Sequence, residues 1–146
     1  MSGPRVAVLD YGIGNLRSAE KALQHVGAAA QLVTTAVDVG TLVNPDSVEA
    51  QLQGGLVFGL TAALYGEITI KKGRVEQSNF HDYRMLRIDQ IPKIEVHLIK
   101  SGEPPGGVGE TGTTAGPPAL RNAIFAATGI ALRRLPIDRT ALAGRS

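Results

Sequence analysis

The chain contains no cysteine among its 146 residues. Disulfides, thiolate metal sites and every mechanism with a cysteine nucleophile are therefore excluded. Aromatic residues are almost as scarce, with three Tyr, three Phe and no Trp, which leaves little material for stacking nucleobases. Charge of one sign is also lacking. The net charge is +2, and apart from the pairs Lys71-Lys72 and Arg133-Arg134 the basic residues are scattered, so nothing resembles the stripe that a phosphate backbone demands. The longest apolar run, Gly54 to Gly66, is shorter than the roughly 20 residues a membrane helix needs. The first apolar stretch is interrupted by Asp10, too early for a signal-peptide core. A cytoplasmic protein that binds neither nucleic acid nor membrane is expected.

What remains is 43% apolar with a mean hydropathy near zero (+0.05), the composition of a small globular domain. Arg5–Asp10 reads as a short strand, and Asn15 as the cap of a helix whose Leu16, Ala19, Leu23 and Val26 form one stripe up to Gly27. A second strand is predicted over Gln31–Thr35, giving a βαβ opening. Val37, Val39, Leu42 and Val43 then predict a further strand, ahead of a helix capped by Asn44 with Pro45 in its first turn. That helix should run to about Leu64 although it holds Gly54, Gly55 and Gly59, each costing about 1 kcal/mol relative to Ala. Either a backbone or a ligand packs against those glycines, or the helix is broken. A hairpin over Glu67–Glu76 turning at Lys72-Gly73, an alternating half-buried strand over Ile94–Ile99, a helix over Pro118–Thr128 ended by Gly129, and an extended basic tail from Arg133 complete the reading. The fold class expected is mixed α+β, a βαβ unit followed by strand, helix, hairpin, strand and helix.

One stretch carries a candidate for chemistry. Pro104-Pro105-Gly106-Gly107-Val108-Gly109-Glu110 places a lone carboxylate at the end of a loop nearly free of side chains. It reads either as a presented reactive group or as a flexible linker with one solvated charge. Gly12-x-Gly14 is a poor dinucleotide fingerprint, because Arg17 stands where a third Gly belongs. Ser78, His81 and Asp82 invite a catalytic-relay reading, but neighbours in an extended segment point apart, which favours His81 as a hydrogen-bonded packing residue.

Two resemblances are carried by different parts of the chain. Val6-Ala7-Val8-Leu9-Asp10-Tyr11-Gly12-Ile13-Gly14-Asn15-Leu16, within residues 6–33, resembles the start of the glutaminase subunit of imidazole glycerol phosphate synthase. That family uses a Cys-His-Glu triad, so without Cys the glutaminase chemistry is excluded, and only docking to a synthase partner would remain. Residues 36–137 resemble the C-terminal part of the molybdopterin-binding subunit of the xanthine dehydrogenase family, on the isoquinoline 1-oxidoreductase and aldehyde oxidoreductase branch. The match rests on Ala36-Val37-Asp38-Val39-Gly40, Asn44-Pro45-Asp46, Gln51-Leu52-Gln53-Gly54-Gly55, Gly66-Glu67-Ile68-Thr69, Gln77-Ser78-Asn79-Phe80-His81-Asp82-Tyr83 and Gly109-Glu110.

This second resemblance implies hydroxylation of an N-heterocycle or oxidation of an aldehyde with oxygen taken from water. It implies a molybdopterin-type molybdenum cofactor and an iron–sulfur partner subunit. It assigns general-base catalysis to Glu110 and cofactor contacts to Gln51, Gly54, Gly55 and Gly109, with no protein ligand to the metal. Thr111 departs from the pattern, because relatives often have Pro there, which would leave the loop less rigid. The expectation is a chimeric or truncated product, with residues 1–35 glutaminase-like and 36–146 a molybdopterin-subunit segment. It is expected to be inactive alone and to retain no cofactor; the alternative is a non-catalytic chimeric domain whose uncovered apolar surface makes it self-associate.

Overall fold

The computed structural model describes residues 7–9, 32–138 and 142. Its elements are β1 (Ala7–Leu9), β2 (Leu32–Asp38), α1 (Pro45–Leu64), β3 (Ile70–Lys71), β4 (Arg74–Val75), a 3-10 turn (Ile88–Gln90), β5 (Lys93–Ile99) and α2 (Thr111–Thr128). The fold is a mixed α and β arrangement, as the sequence predicts. Three strands form one parallel sheet in the order β1-β2-β5, and β3 and β4 pair as a separate antiparallel hairpin. The parallel pairing of β1 with β2 is what a βαβ opening requires. The helix expected over residues 15–27 lies outside the described residues.

The strands expected on either side of residue 36 are one. β2 runs unbroken from Leu32 to Asp38, so the expected boundary at 35/36 falls within a single element paired with β5 along its length. It ends where Gly40 adopts φ +72 and donates its N–H to the Asp38 carboxylate. Leu42 and Val43 therefore belong to a loop, with Val43 86% exposed.

α1 starts as the sequence predicts. The Asn44 side chain accepts from the Ser47 N–H at 3.2 Å, with Pro45 in the first turn. It continues without a break through its glycines to Leu64. Leu56 and Leu60 pack with Val33 of β2, and Ile94 of β5 lies against them. Burying each of these leucines contributes about 1.5–3 kcal/mol.

α2 begins at Thr111, well before the expected Pro118, and passes through Pro117 and Pro118. Lacking N–H groups, the two prolines leave the carbonyls of Thr113 and Thr114 without their helical donors. The Thr113 carbonyl lies 2.7 Å from where a Cβ on Gly59 would stand, so that side of the break is packed against α1. The helix ends at Gly129, φ +70, whose N–H donates to the Phe125 carbonyl, as read from the sequence.

The tail expected to be extended instead turns back. Leu132 and Ile137 join Ala123 and Ile124 in a second buried cluster, and the Ile137 N–H donates to Ala63 at the end of α1.

Candidate functional site

The loop before Glu110 is tied down along its first half. Ser101 Oγ donates to Asp38 Oδ1 at 2.7 Å, and the same oxygen takes the Gly40 N–H at 2.9 Å. These two donors, the hydroxyl first, hold the Asp38 carboxyl below its ordinary range. The Glu103 carbonyl accepts from both the N–H and the hydroxyl of Thr41, at 2.8 and 3.0 Å, and the Gly106 N–H reaches the Val39 carbonyl at 2.8 Å. Gly40 must be glycine here, because a Cβ would overlap the Pro104 carbonyl oxygen. The first half of the loop is therefore tethered, while Glu110 at its end remains a solvated charge. Beyond Gly106 the surroundings open, with no atom within 4 Å of a Cβ placed on Gly107 or Gly109.

Glu110 itself is the exposed cap residue of α2, and its side chain makes no capping hydrogen bond. Just after it the helix is seated on α1. A Cβ on Gly112 would stand 2.7 Å from the Leu52 carbonyl oxygen and the Leu56 nitrogen, and Thr113 Oγ1 donates to the Gly55 carbonyl at 3.2 Å. Thr111 occupies the first helical position, the place proline favours, so its substitution for Pro leaves the helix start in place.

The crossing brings the first turn of α2 against the turn of α1 that begins at Gln51. Gln51 is exposed. Gly54 faces open space, whereas a Cβ on Gly55 would be 3.2 Å from the Thr113 nitrogen, so the α2 backbone already occupies that side. The glycines of α1 thus divide: Gly55 and Gly59 admit a neighbouring helix, and Gly54 remains open. Beside Gly54 runs a shallow groove of about 500 Å³ lined by Gln53, Val57, Ile91, Pro92 and Ile94. Sequence reasoning missed Asp38, Gly40 and Thr113, which make the ties between distant segments. The only signal was the place of Asp38 and Gly40 inside a matched motif, and Thr113 lies in none.

Ser78, His81 and Asp82 do come together, though not as a relay. Asp82 is the hub: it accepts from the Ser78 N–H at 2.8 Å, the Ser78 hydroxyl at 3.0 Å and the Asn79 N–H at 3.0 Å, with His81 Nε2 3.6 Å away. A nucleophile relay needs the imidazole between Ser and Asp. The His81 side chain is 72% exposed, which corrects the expectation that it packs. The Asn79 and Ser78 N–H groups bring the Asp82 carboxyl from 3.8 down to about 2. A lowered carboxyl supports the fold fully above its unfolded value and loses that contribution as pH falls through the folded one. The 78–83 loop should accordingly stay ordered at pH 5 and loosen between pH 3.8 and about 2, read from exchange of the Ser78 and Asn79 amides. Loosening already at pH 5, or none by pH 2, would contradict this account.

With this geometry in hand, likeness to known proteins is informative. Residues 28–92 match the family described as molybdopterin cofactor-binding domain. The chain is 46% identical over 111 residues to the isoquinoline 1-oxidoreductase subunit beta of Brevundimonas diminuta, covering 76% of this chain and 14% of that protein. It is 40% identical over 107 residues to the membrane-bound aldehyde dehydrogenase [pyrroloquinoline-quinone] of Gluconacetobacter polyoxogenes, covering 73% of this chain and 14% of that protein. Among solved structures, Cu,Mo-CO dehydrogenase in its carbon monoxide reduced state superposes with a TM-score of 0.61 at 29% identity, over 66% of this chain and 13% of that one. The chain thus spans about one-seventh of the length of the curated relatives it matches. The glutaminase-like motif at residues 10–16 lies outside the described residues. Sequence and fold together place the matched region of the chain in the xanthine dehydrogenase family of molybdenum hydroxylases, where it is similar to the molybdopterin cofactor-binding subunit.

Proposed function

We propose that this chain forms one wall of a molybdenum hydroxylase site that oxidises an N-heterocycle or an aldehyde with water as the oxygen source, and that Glu110 is its general base. The observation that carries the reading is the placement of Glu110: an exposed carboxylate without a capping bond, set between a tethered loop and a seated helix.

The residues present suit a polar organic cofactor. Gln51 is exposed and offers an amide that both donates and accepts, as a pterin edge requires. Gly54 and Gly109 leave open the volume a Cβ would fill. Gly55 supports the same wall indirectly, by admitting α2. When bound, the cofactor supplies the redox chemistry and accepts the electrons of the substrate. Glu110 takes up the proton released as the water-derived oxygen attacks the substrate carbon, and the bare loop beside it lets substrate approach without crowding. An iron–sulfur partner carries the electrons away.

The chain alone, one-seventh the length of its relatives, is expected to retain no molybdenum and show no turnover. The decisive experiment uses the complete subunit bearing this stretch, assembled with its iron–sulfur partner and supplied with quinoline-type or aldehyde substrates in 18O-labelled water. Label in the product is expected. Oxygen drawn from O₂ instead would overturn the proposal.

A further inference from the structure

We infer that Asp38 is a positioning residue for Glu110, acting through a clamp that grips the glycine loop where it leaves the sheet. The inference rests on the proposed role of Glu110, but its geometry stands by itself. Asp38 is the last residue of β2 and pairs in register with Ile99 at the end of β5. One of its carboxylate oxygens holds both Gly40 and Ser101, and a charged acceptor makes such bonds stronger than neutral ones. Around that point the backbone closes like a buckle: Thr41 holds the Glu103 carbonyl, Gly106 holds the Val39 carbonyl, and the bare Gly40 fits beneath Pro104.

Reach decides what this arrangement does. From Gly107 to Glu110 the chain can span at most about 14 Å, so a loop fixed at Gly106 confines Glu110 closely. Without the Asp38 ties the loop is held only by the Thr41–Glu103 and Gly106–Val39 bonds, and where these open the free segment lengthens to residues 101–110, about 35 Å at full extension, with the α2 crossing still holding the chain at Gly112. The clamp therefore sets the approach of the loop to the start of α2, while the glycine crossing sets the helix itself.

The cysteine-free sequence allows a direct test on the full chain, with spin labels on cysteines introduced in pairs. One pair, Gln51→Cys with Glu110→Cys, reads the site. A second, Gln51→Cys with Asn122→Cys, reads the helix packing alone. Asp38→Ala is expected to widen the first distance distribution, by at most about twofold because Gly112 still holds the chain two residues beyond Glu110, and to leave the second unchanged. Asp38→Asn, whose amide oxygen can still accept from Gly40 and Ser101, should restore the narrow distribution. Ser101→Ala, which removes a single tie, should give an intermediate width and serves if Asp38→Ala does not fold. A narrow first distribution in Asp38→Ala or Ser101→Ala, or equal widening of both pairs, would overturn the inference. Because no cofactor is involved, such a result leaves the general-base reading intact, and failure of that reading in turnover leaves this one standing.

Discussion

Replacing Gly112 with Ala is expected to destabilise the chain by about 1–3 kcal/mol, although alanine is the better helix former. The reason is the crossing of α1 and α2. A methyl at Gly112 would stand 2.7 Å from the Leu52 carbonyl oxygen and the Leu56 nitrogen, both backbone atoms in the middle of a regular helix. Neither can swing away as a side-chain tip could, so the helices must separate. Separation removes the Thr113–Gly55 hydrogen bond and loosens the packing of Leu56. Gly54 supplies the opposite case on the same helix. A methyl there meets nothing within 4 Å, so Gly54→Ala should raise stability by about 0.5–1 kcal/mol through lower unfolded-chain entropy. Urea unfolding of the two variants beside the parent gives the comparison. A Gly112→Ala midpoint at or above that of the parent would mean that the crossing is looser than described.

Glu110→Gln in the complete enzyme is expected to lower turnover per molybdenum by about 10²–10⁴, the usual contribution of a positioned general base. The substitution keeps shape and removes only the ability to take up a proton. Since the side chain is exposed and makes no capping bond, stability should move by less than about 0.5 kcal/mol. The loss belongs in kcat, because the interaction develops only as the proton is transferred. Gln51→Ala should behave differently, reducing the molybdenum retained while leaving turnover per bound metal nearly unchanged. Full turnover in Glu110→Gln at normal metal content would transfer the base role to another group.

Much of this architecture is legible before any coordinates. Asn44-Pro45 announces α1 because an amide cap and a fixed φ act locally, Lys72-Gly73 announces the hairpin, and Gly129 closes α2 by adopting φ +70. The start of α2 is hidden for a physical reason: Pro117 and Pro118 suppress the helical signal, and only the close approach of the Thr113 carbonyl to Gly59 shows how the helix is accommodated there. The loop Gly40–Asn44 reads as a strand because Val39, Leu42 and Val43 are apolar, whereas the left-handed turn at Gly40 answers to Asp38 and the distant Pro104. At the site, the resemblance names Glu110 and Gln51. What fixes them is made of pairings that no local pattern contains, and a carboxylate such as Asp38 looks the same in sequence whether it is solvated or clasping a loop.

Those pairings share one more property. Thr113 meets Gly55, Thr41 meets Glu103, and Ser101 meets Asp38 across sequence separations of 58, 62 and 63 positions. β2 and β5 pair across the same interval. Closing a loop of about sixty residues costs roughly 3–4 kcal/mol of chain entropy, and the cost arises once, since the first closure brings the other partners within reach. Strand pairing, clamp and helix crossing should therefore form in one slow, topology-limited step. During synthesis the carboxylate would have no defined surroundings until the chain beyond Thr113 has emerged, and from then on the whole wall would appear together.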